Sequence, residues 1–499
     1  MDNIKYTAFM CRYGLVLDYK TQYKFIEQYQ PDLTLLFKPV IGKNIIKPLY
    51  SVIDTNGSTR FRIPRSWHNK PFISVIRPQI RINQLSAIYL NRDKLVTSNT
   101  PILSSNQELV VNTLVHKVFT YTNITLGTAS TILHMPAGTG KTYVAAGLIK
   151  KMRVNRVLYI TPSRELNKQC AADLNNAFGE YSGAQFATFN GSDIKAGKST
   201  SVVDVLTIHM SIKQSIDFVQ SYQLIILDEC HTYCADTYRA IYSLIGDMPT
   251  LGMTATPYAR NDPFDKINTA ELCAHPMIKA TKLPDYINDE THFNINVSVI
   301  KYIGDAEHTQ VLKHDSTGHM FMHYMHQQVA EDSARLQIAT CKILELYDDG
   351  HDTFIFAEEK NILEILSCKL LEMRPQIECE IGIFTGDTKP PELARIRQSA
   401  RIIFTTYFYS GTGVSIPRMT AIVMFTSRKS KMGQIIPRIL RKGGNPDKTR
   451  EVIDFVDAAT PVSRQYQERF KTFKSLHATI RYYTLNHEDM IIRETTAAG

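Results

Sequence analysis

The chain has 499 residues, 43% of them hydrophobic and 21% charged, and a formal net charge of +9. That length allows two or three domains with substantial cores. The chain has no eighteen-residue apolar run and no leader of basic, apolar and small residues in order, which argues against a membrane-spanning or secreted protein.

Roughly fifteen Lys/Arg against about six Asp/Glu fall in the first hundred residues. The positive excess therefore sits there and suggests a polyanionic partner, with an ordinary solvated basic surface as the competing reading. Residues 1–95 have short apolar runs broken by Pro31, Pro39, Pro48, Pro64, Pro71 and Pro78. This predicts a small mixed or β-rich accessory domain that could bind nucleic acid. From 96 to 262, strands alternate with helices at Ile132 to Met135, Val157 to Thr161, Val202 to Leu206, Leu224 to Leu227 and Leu251 to Met253. Such alternation predicts a parallel sheet covered on both faces by helices. Residues 263–325 read as a connecting segment, with a strand at Ile295 to Ile303 and a His-rich stretch, His308 to His326, read as solvated loop. A second alternating region, 326–480, starts with a Ser333 to Tyr347 helix. It continues through Phe354 to Ala357, Ile381 to Phe384, Ile402 to Thr405, Ala421 to Phe425 and Val452 to Phe455. Residues 481–499 are left as a tail. The expected class is α/β, with two tandem parallel-sheet lobes and the small N-terminal domain.

Ala137-Gly138-Thr139-Gly140-Lys141-Thr142 follows the first of these strands and opens a segment, Tyr143 to Met152, with helical apolar spacing. Strand, glycine-rich loop and helix in that order form the context of a phosphate loop. Gly138 and Gly140 let backbone N–H groups turn toward phosphate oxygens, and the helix N-terminus adds partial positive charge. Lys141 would reach the β and γ phosphates and Thr142 the metal. Met135 stands where G-x-x-x-x-G-K-[ST] has its first glycine, so a chance glycine-rich turn is the alternative. Roughly ninety residues on, Asp228-Glu229-Cys230-His231 ends the apolar strand Leu224 to Leu227, at the sheet edge where α/β proteins bind ligands. Asp228 suits the metal shell and Glu229 suits polarising an attacking water. Two solvated acids capping a strand are the bland alternative.

The eight cysteines are scattered and include no C-x-x-C pair. Cys230, His231 and Cys234 come nearest to a metal cluster, but their place directly after the acidic pair favours the nucleotide site. A reducing, intracellular compartment is the simplest inference.

Further segments narrow the reading. Thr161-Pro162-Ser163-Arg164-Glu165-Leu166 with Gln169 follows one strand, and Thr254-Ala255-Thr256-Pro257 follows another. Gln434, Arg438 and Arg441 lie in the second lobe at spacings of one helix face. In motif identity and order, from about 100 to 460, the chain resembles superfamily 2 helicases and translocases, with RecA-like lobes. The resemblance implies ATP and Mg2+ as cofactors. It places Thr161, Arg164, Gln169, Thr207 and Thr406 on a nucleic-acid backbone, and Thr254 and Thr256 in the coupling between strand binding and the acidic pair. Gln107 sits where the family often keeps an adenine-reading glutamine, a solvent-facing glutamine being the alternative. Arg438 and Arg441, with Gln434, would act on the γ-phosphate. Gly411, Gly413 and Ser415 resemble the fifth motif, with Gly413 near nucleotide and Ser415 replacing a common aspartate. Pro437 stands in place of a glycine and is expected to kink the helix. Tyr407, Phe408 and Tyr409 could stack on a base, although core packing is the commoner use.

Thr-Ala-Thr in place of Ser-Ala-Thr, and Gln434 in place of histidine, put the resemblance on the DExH side rather than with DEAD-box RNA helicases. Phe408 to Gly413, Ile416-Pro417 and Met432 to Ile435 are similar to helicases of large cytoplasmic DNA viruses, the poxvirus transcript-release type and its asfarvirus relative. The likeness implies an ATP-dependent DNA helicase or translocase in viral transcription, with nucleic acid and transcription machinery as partners, in host cytoplasm and virion. An RNA helicase is the near alternative. A helicase-like assembly subunit without turnover, suggested by Met135, Ser415 and Pro437, is the alternative of another class.

Overall fold

The computed structural model describes residues 6–37, 45–55, 57–77, 100–178, 186–188, 202–258, 264–287, 293–304, 306–311, 313, 320–407, 416–428, 432–440, 445, 447–486 and 491–495. The chain divides into two compact units, Met1–Asn288 and Asp289–Gly499.

The first unit begins with β1 (Tyr6–Cys11) and β2 (Gly14–Leu17), then a hairpin of β3 (Thr34–Phe37) and β4 (Ile45–Pro48). β5 (Ser51–Thr55), β6 (Ser58–Ile63) and β7 (Ile73–Ile76) follow. The sheet runs β5-β6-β2-β1-β7 and is antiparallel except where β1 meets β7, the mixed sheet expected of this region. Its apolar face does not close on itself. Tyr6, Leu15, Phe25 and Trp67 share one core with Ile132, Leu158, Ile160, Ile225 and Leu227 of the following sheet.

Much of the N-terminal positive charge is spent on this docking. Arg62 makes a bidentate pair with Glu271, at 3.1 and 2.7 Å, and Arg77 pairs with Asp247 at 2.6 Å. Lys47 pairs with Asp236 at 2.9 Å and Arg12 with Asp217 at 2.5 Å. Arg65 donates to the carbonyls of Met248 and Gly246. Four of the fifteen Lys and Arg in the first hundred residues thus face the chain's own carboxylates.

The first lobe holds β8 (Ser130–His134), β9 (Val157–Thr161), β10 (Phe186–Thr188), β11 (Val203–Thr207), β12 (Leu224–Asp228), β13 (Thr250–Thr254) and β14 (Ile278–Lys279). They form a sheet in the order β10-β11-β9-β12-β13-β8-β14, parallel throughout. Its central strands are buried along their length because helices cover both faces, which is why they read as unbroken apolar runs.

The second unit holds β15 (Ile295–Tyr302), β16 (Thr353–Ala357), β17 (Ile381–Phe384), β18 (Ile402–Thr406), β19 (Ala421–Met424), β20 (Arg450–Asp457), β21 (Thr479–Asn486) and β22 (Ile491–Thr495). The order is β17-β18-β16-β19-β20-β15-β21-β22, and only β22 is antiparallel. Residues 263–325 are thus shared out. The helix Asp265–Leu272 and β14 belong to the first unit, and β15 lies inside the second sheet. The end of the His-rich stretch is helical, from Met322 to Glu331, with His326 buried. Arg335 is buried beneath Tyr302, Phe425 and Phe455 and pairs with Asp457.

His351 is buried against the Thr420 hydroxyl at 2.9 Å. Burial, with Lys448 nearby, pushes its pKa down to about 4. An unfolded histidine takes up a proton near pH 6.5, so this contribution to stability is present above that pH and is lost as pH falls toward 4. Denaturant midpoints between pH 7 and 4 should fall more steeply for the native chain than for His351→Gln, and parallel curves would remove this histidine from the acid response.

Candidate active site

The order β12-β13-β8 brings three strand ends together. Asp228 ends β12, Thr254 ends β13, and the loop 135–140 leaves β8. The loop is anchored where Met135 N–H donates to the Thr254 carbonyl at 3.1 Å. Met135 is fully buried and has no positive φ, so a side chain fits where the common pattern has glycine. The left-handed positions are Gly138 (φ 79°) and Gly140 (φ 85°), and Gly140 caps the helix Lys141–Met152. Thr139 Oγ1 donates to the Pro136 carbonyl at 2.7 Å and closes the turn.

Gln107 lies directly on this loop. Its Nε2 donates to the Thr139 carbonyl at 3.0 Å, and its Oε1 accepts from Ser104 N–H at 2.9 Å in a capping box. A Cβ on Gly140 would stand 2.3 Å from that Nε2. Both ends of the amide hydrogen-bond within the chain, so Gln107 braces the loop.

Lys141 Nζ stands 3.7 Å from Glu229 Oε1. Glu229 Oε2 faces His231 Nδ1 at 3.2 Å, and Thr254 Oγ1 donates to the same oxygen at 3.4 Å. His231 Nδ1 also lies 2.8 Å from Thr254 Oγ1, which accepts from Thr256 N–H at 3.0 Å. Thr254 is thus hydrogen-bonded directly to Glu229, and Thr256 reaches it through the Thr254 hydroxyl. Glu229 has φ 46°, a left-handed conformation that is costly for a residue with a side chain. His231 and Thr254 hold its carboxylate in place. Burial and the neighbouring Glu229 charge push the Asp228 carboxyl up to about 7, with Lys141 acting against them. Burial also works to raise Glu229, but Lys141, His231 and Thr254 outweigh it and hold that carboxyl low. The arrangement offers a carboxyl ready for a cation beside an ionised carboxylate able to polarise water.

His231 is a site residue whose role the sequence reading missed. It was legible only as the fourth letter of Asp-Glu-Cys-His, because its partner Thr254 is distant in sequence. Cys230 and Cys234 are buried, all eight cysteines are free thiols, and no cluster of metal-binding side chains occurs among the described residues.

The strand-binding candidates divide. Thr161 and Thr207 are buried at paired ends of β9 and β11. Thr161 Oγ1 donates to the Ser163 carbonyl at 2.9 Å and to the Asn167 side chain. Thr207 caps the short helix Ile208–Ser211 through Met210 N–H at 3.4 Å. The Thr207 hydroxyl thus caps a helix, while that of Thr161 bonds within its own loop and helix. Arg164 is exposed and Gln169 half-buried on the helix Arg164–Phe178.

In the second unit, Thr406 ends β18 and is half-buried. The single helix face expected for Gln434, Arg438 and Arg441 is not formed. An α-helix runs only from Met432 to Ile435, and Ile436–Arg438 is a 3-10 turn because Pro437 has no N–H for the Gly433 carbonyl. Arg438 is buried in that turn. Tyr407 is core, stacked 5.4 Å from Phe356 with its hydroxyl on the Thr426 carbonyl at 2.6 Å. Phe408, Tyr409, Gly411, Gly413, Ser415, Arg441 and the side chain of Gln434 lie outside the described residues.

The family model described as "Type III restriction enzyme, res subunit" matches residues 101–259, the span that builds this site. A protein of African swine fever virus provisionally named an ATP-dependent RNA helicase (Pretoriuskop isolate) is 27% identical over 360 residues, 68% of this chain and 67% of the relative. Transcript termination protein A18 of fowlpox virus is 22% identical over 346 residues, 66% of this chain and 70% of the relative. Residues 101–259 form a helicase domain of that family. Among solved structures, the helicase shares its fold with the DUF1998 helicase MrfA bound to DNA and AMPPNP, at TM-score 0.51 and 15% identity over 82% of this chain and 55% of that one. The helicase is an ATP-hydrolysing enzyme. No described helix in it is long and apolar enough to cross a membrane.

Proposed function

We propose that this helicase uses ATP hydrolysis to move along a nucleic-acid strand during viral transcription, with DNA as the favoured track and release of nascent transcripts as the outcome. The observation that supports this best is the Thr254 hydroxyl, which touches Glu229, His231 and Thr256 N–H together. A shift at the end of β13 would reorient the group that polarises water. The fowlpox relative, named as a transcript termination protein, supports the transcription role.

Backbone N–H groups of 137–140 and the side chain of Lys141 are suited to hold the ATP phosphates. The Asp228 carboxylate and the Thr142 hydroxyl suit a divalent cation, and Mg2+ there would neutralise phosphate charge. Glu229 would take the proton of the attacking water. Arg438 and Arg441 are proposed for the γ-phosphate, and Arg164 and Gln169, with Thr406, for the strand. The provisional naming of the swine fever virus relative as an RNA helicase favours RNA as a second reading.

ATPase rates with single-stranded DNA, duplex DNA, matched RNA and DNA–RNA hybrid, at stated salt, test the proposal. Turnover should rise with DNA and fall back toward basal in Arg164→Ala at equal DNA. Stimulation by RNA alone would transfer the function to the second reading, and no stimulation by any strand would overturn both.

A further inference from the structure

Arg450 is a fully buried arginine at the first position of β20, and the chemistry proposed above does not use it. Strand side chains alternate, so Arg450, Val452, Asp454 and Val456 share one face. On that face Val452 and Val456 pack in one core with Ile435, Ile436 and Ile439, the residues around the turn that carries Arg438. The guanidinium reaches the same turn. Its Nε donates to the Ile439 carbonyl at 2.5 Å, and its Nη1 donates to the carbonyls of Lys448 at 2.6 Å and Asn445 at 2.9 Å. The Phe293 ring lies over it, with its centre 4.0 Å from the guanidinium carbon.

Burying a guanidinium is costly, and no carboxylate pairs with this one among the described residues. Methionine would fill much of the same space without that cost. What the arginine adds is a rigid planar fork that ties carbonyls on both sides of it to one strand. The need for it arises at Pro437, which ends the helix at Ile435 and leaves a short turn in its place. The last carbonyls of a helical segment have no N–H partner within it, and a cation is favourable there. Ile439 closes the turn Ile436–Arg438, and its carbonyl is the one that Arg450 takes. Upstream, Arg469 donates to Asp454 at 2.8 Å and to the Arg428 carbonyl at 3.0 Å, so β20 tethers the chain ahead of the turn as well. Arg438 itself is only 4% exposed, so its aim follows the backbone of the turn and not free rotation of its side chain.

We propose that Arg450 is a positioning residue for Arg438. By holding the Ile439 carbonyl it fixes the turn from which Arg438 is presented to the γ-phosphate. This clamp rests on the reading of Arg438 given above, and Arg450 works through the backbone without contact to ATP. Misplacing a reacting group by about 1 Å can cost about a hundredfold in rate. With the Arg469 tether intact, loss of Arg450 should cost less, about tenfold.

The test is a double-mutant cycle in the full chain: Arg450→Met, Arg438→Ala and both together. Arg450→Lys, which keeps the charge and a donor without the fork, replaces Arg450→Met should that variant not fold. ATPase kcat is measured beside the affinity for a fluorescent, non-hydrolysable ATP analogue. Arg438→Ala should lose about a thousandfold in kcat. Arg450→Met should lose about tenfold in kcat with analogue affinity kept. The double variant should match Arg438→Ala within about twofold, because a clamp has nothing left to position once Arg438 is gone. Losses that multiply in the double variant overturn the clamp, since a general packing defect would add to any other. Native turnover in Arg450→Met, or a loss confined to analogue affinity, overturns it also and leaves the reading of Arg438 in place. Native turnover in Arg438→Ala overturns that reading and the clamp with it.

Discussion

Glu229→Gln is expected to bind ATP about as well as the native chain and to hydrolyse it about a thousandfold more slowly, the scale of a lost general base. Glutamine preserves the shape, and its carbonyl oxygen can still accept from Thr254. It removes the negative charge that lies 3.7 Å from Lys141 and the basicity that would take a proton from water. Lys141→Ala should lose binding and turnover together, since the lysine is the one long cation at the head of the helix Lys141–Met152. Nucleotide affinity and single-turnover hydrolysis, measured side by side, separate the two variants. Hydrolysis by Glu229→Gln within a few fold of native would remove Glu229 from the reaction. His231→Ala should fall between native and Glu229→Gln, because it acts only through the Glu229 carboxylate and Thr254.

The second large effect lies where the N-terminal sheet meets the first lobe. Glu271→Leu should destabilise the first unit by about 3–5 kcal/mol, because it leaves the Arg62 guanidinium in a dry interface without its counter-charge. Both side chains are nearly inaccessible, at 4% and 2%. Replacing both partners, Arg62→Met with Glu271→Leu, should recover much of that loss, since removing a buried pair entirely costs less than orphaning one half. Denaturant unfolding of the three variants checks this. Equal losses in the single and double variants would show that the pair matters by shape alone. Deletion of 1–99 should be worse than either, because Tyr6, Leu15, Phe25 and Trp67 complete a core shared with β8, β9 and β12.

The nucleotide site was legible because its parts are local. A parallel strand buried on both faces gives an apolar run, and the loop or acidic pair at its end follows in the same few residues. Pro437 likewise announced the break seen at Ile435, since a missing N–H is a property of the residue itself. What the sequence concealed depends on partners distant along the chain. The His231 contact with Thr254 needs β12 beside β13. The burial of Thr161 and Thr207 needs the pairing of β9 with β11, strands that are more than forty residues apart in the chain. The membership of β15 in the second sheet is set by pairing with β20 and β21, which follow it by more than a hundred residues. The pairing of four N-terminal cations with carboxylates of the first lobe was hidden for the same reason, because charge counts do not say which charges meet.

That last point bears on how this helicase would respond to salt. When a cationic surface binds a polyanion, the slope of log affinity against log salt counts the cations displaced from phosphates. Arg12, Lys47, Arg62 and Arg77 already have carboxylate partners and would displace none. The N-terminal region would therefore add less to that slope than its Lys and Arg content suggests, by those four cations, while the exposed Arg164 of the first lobe would add to it.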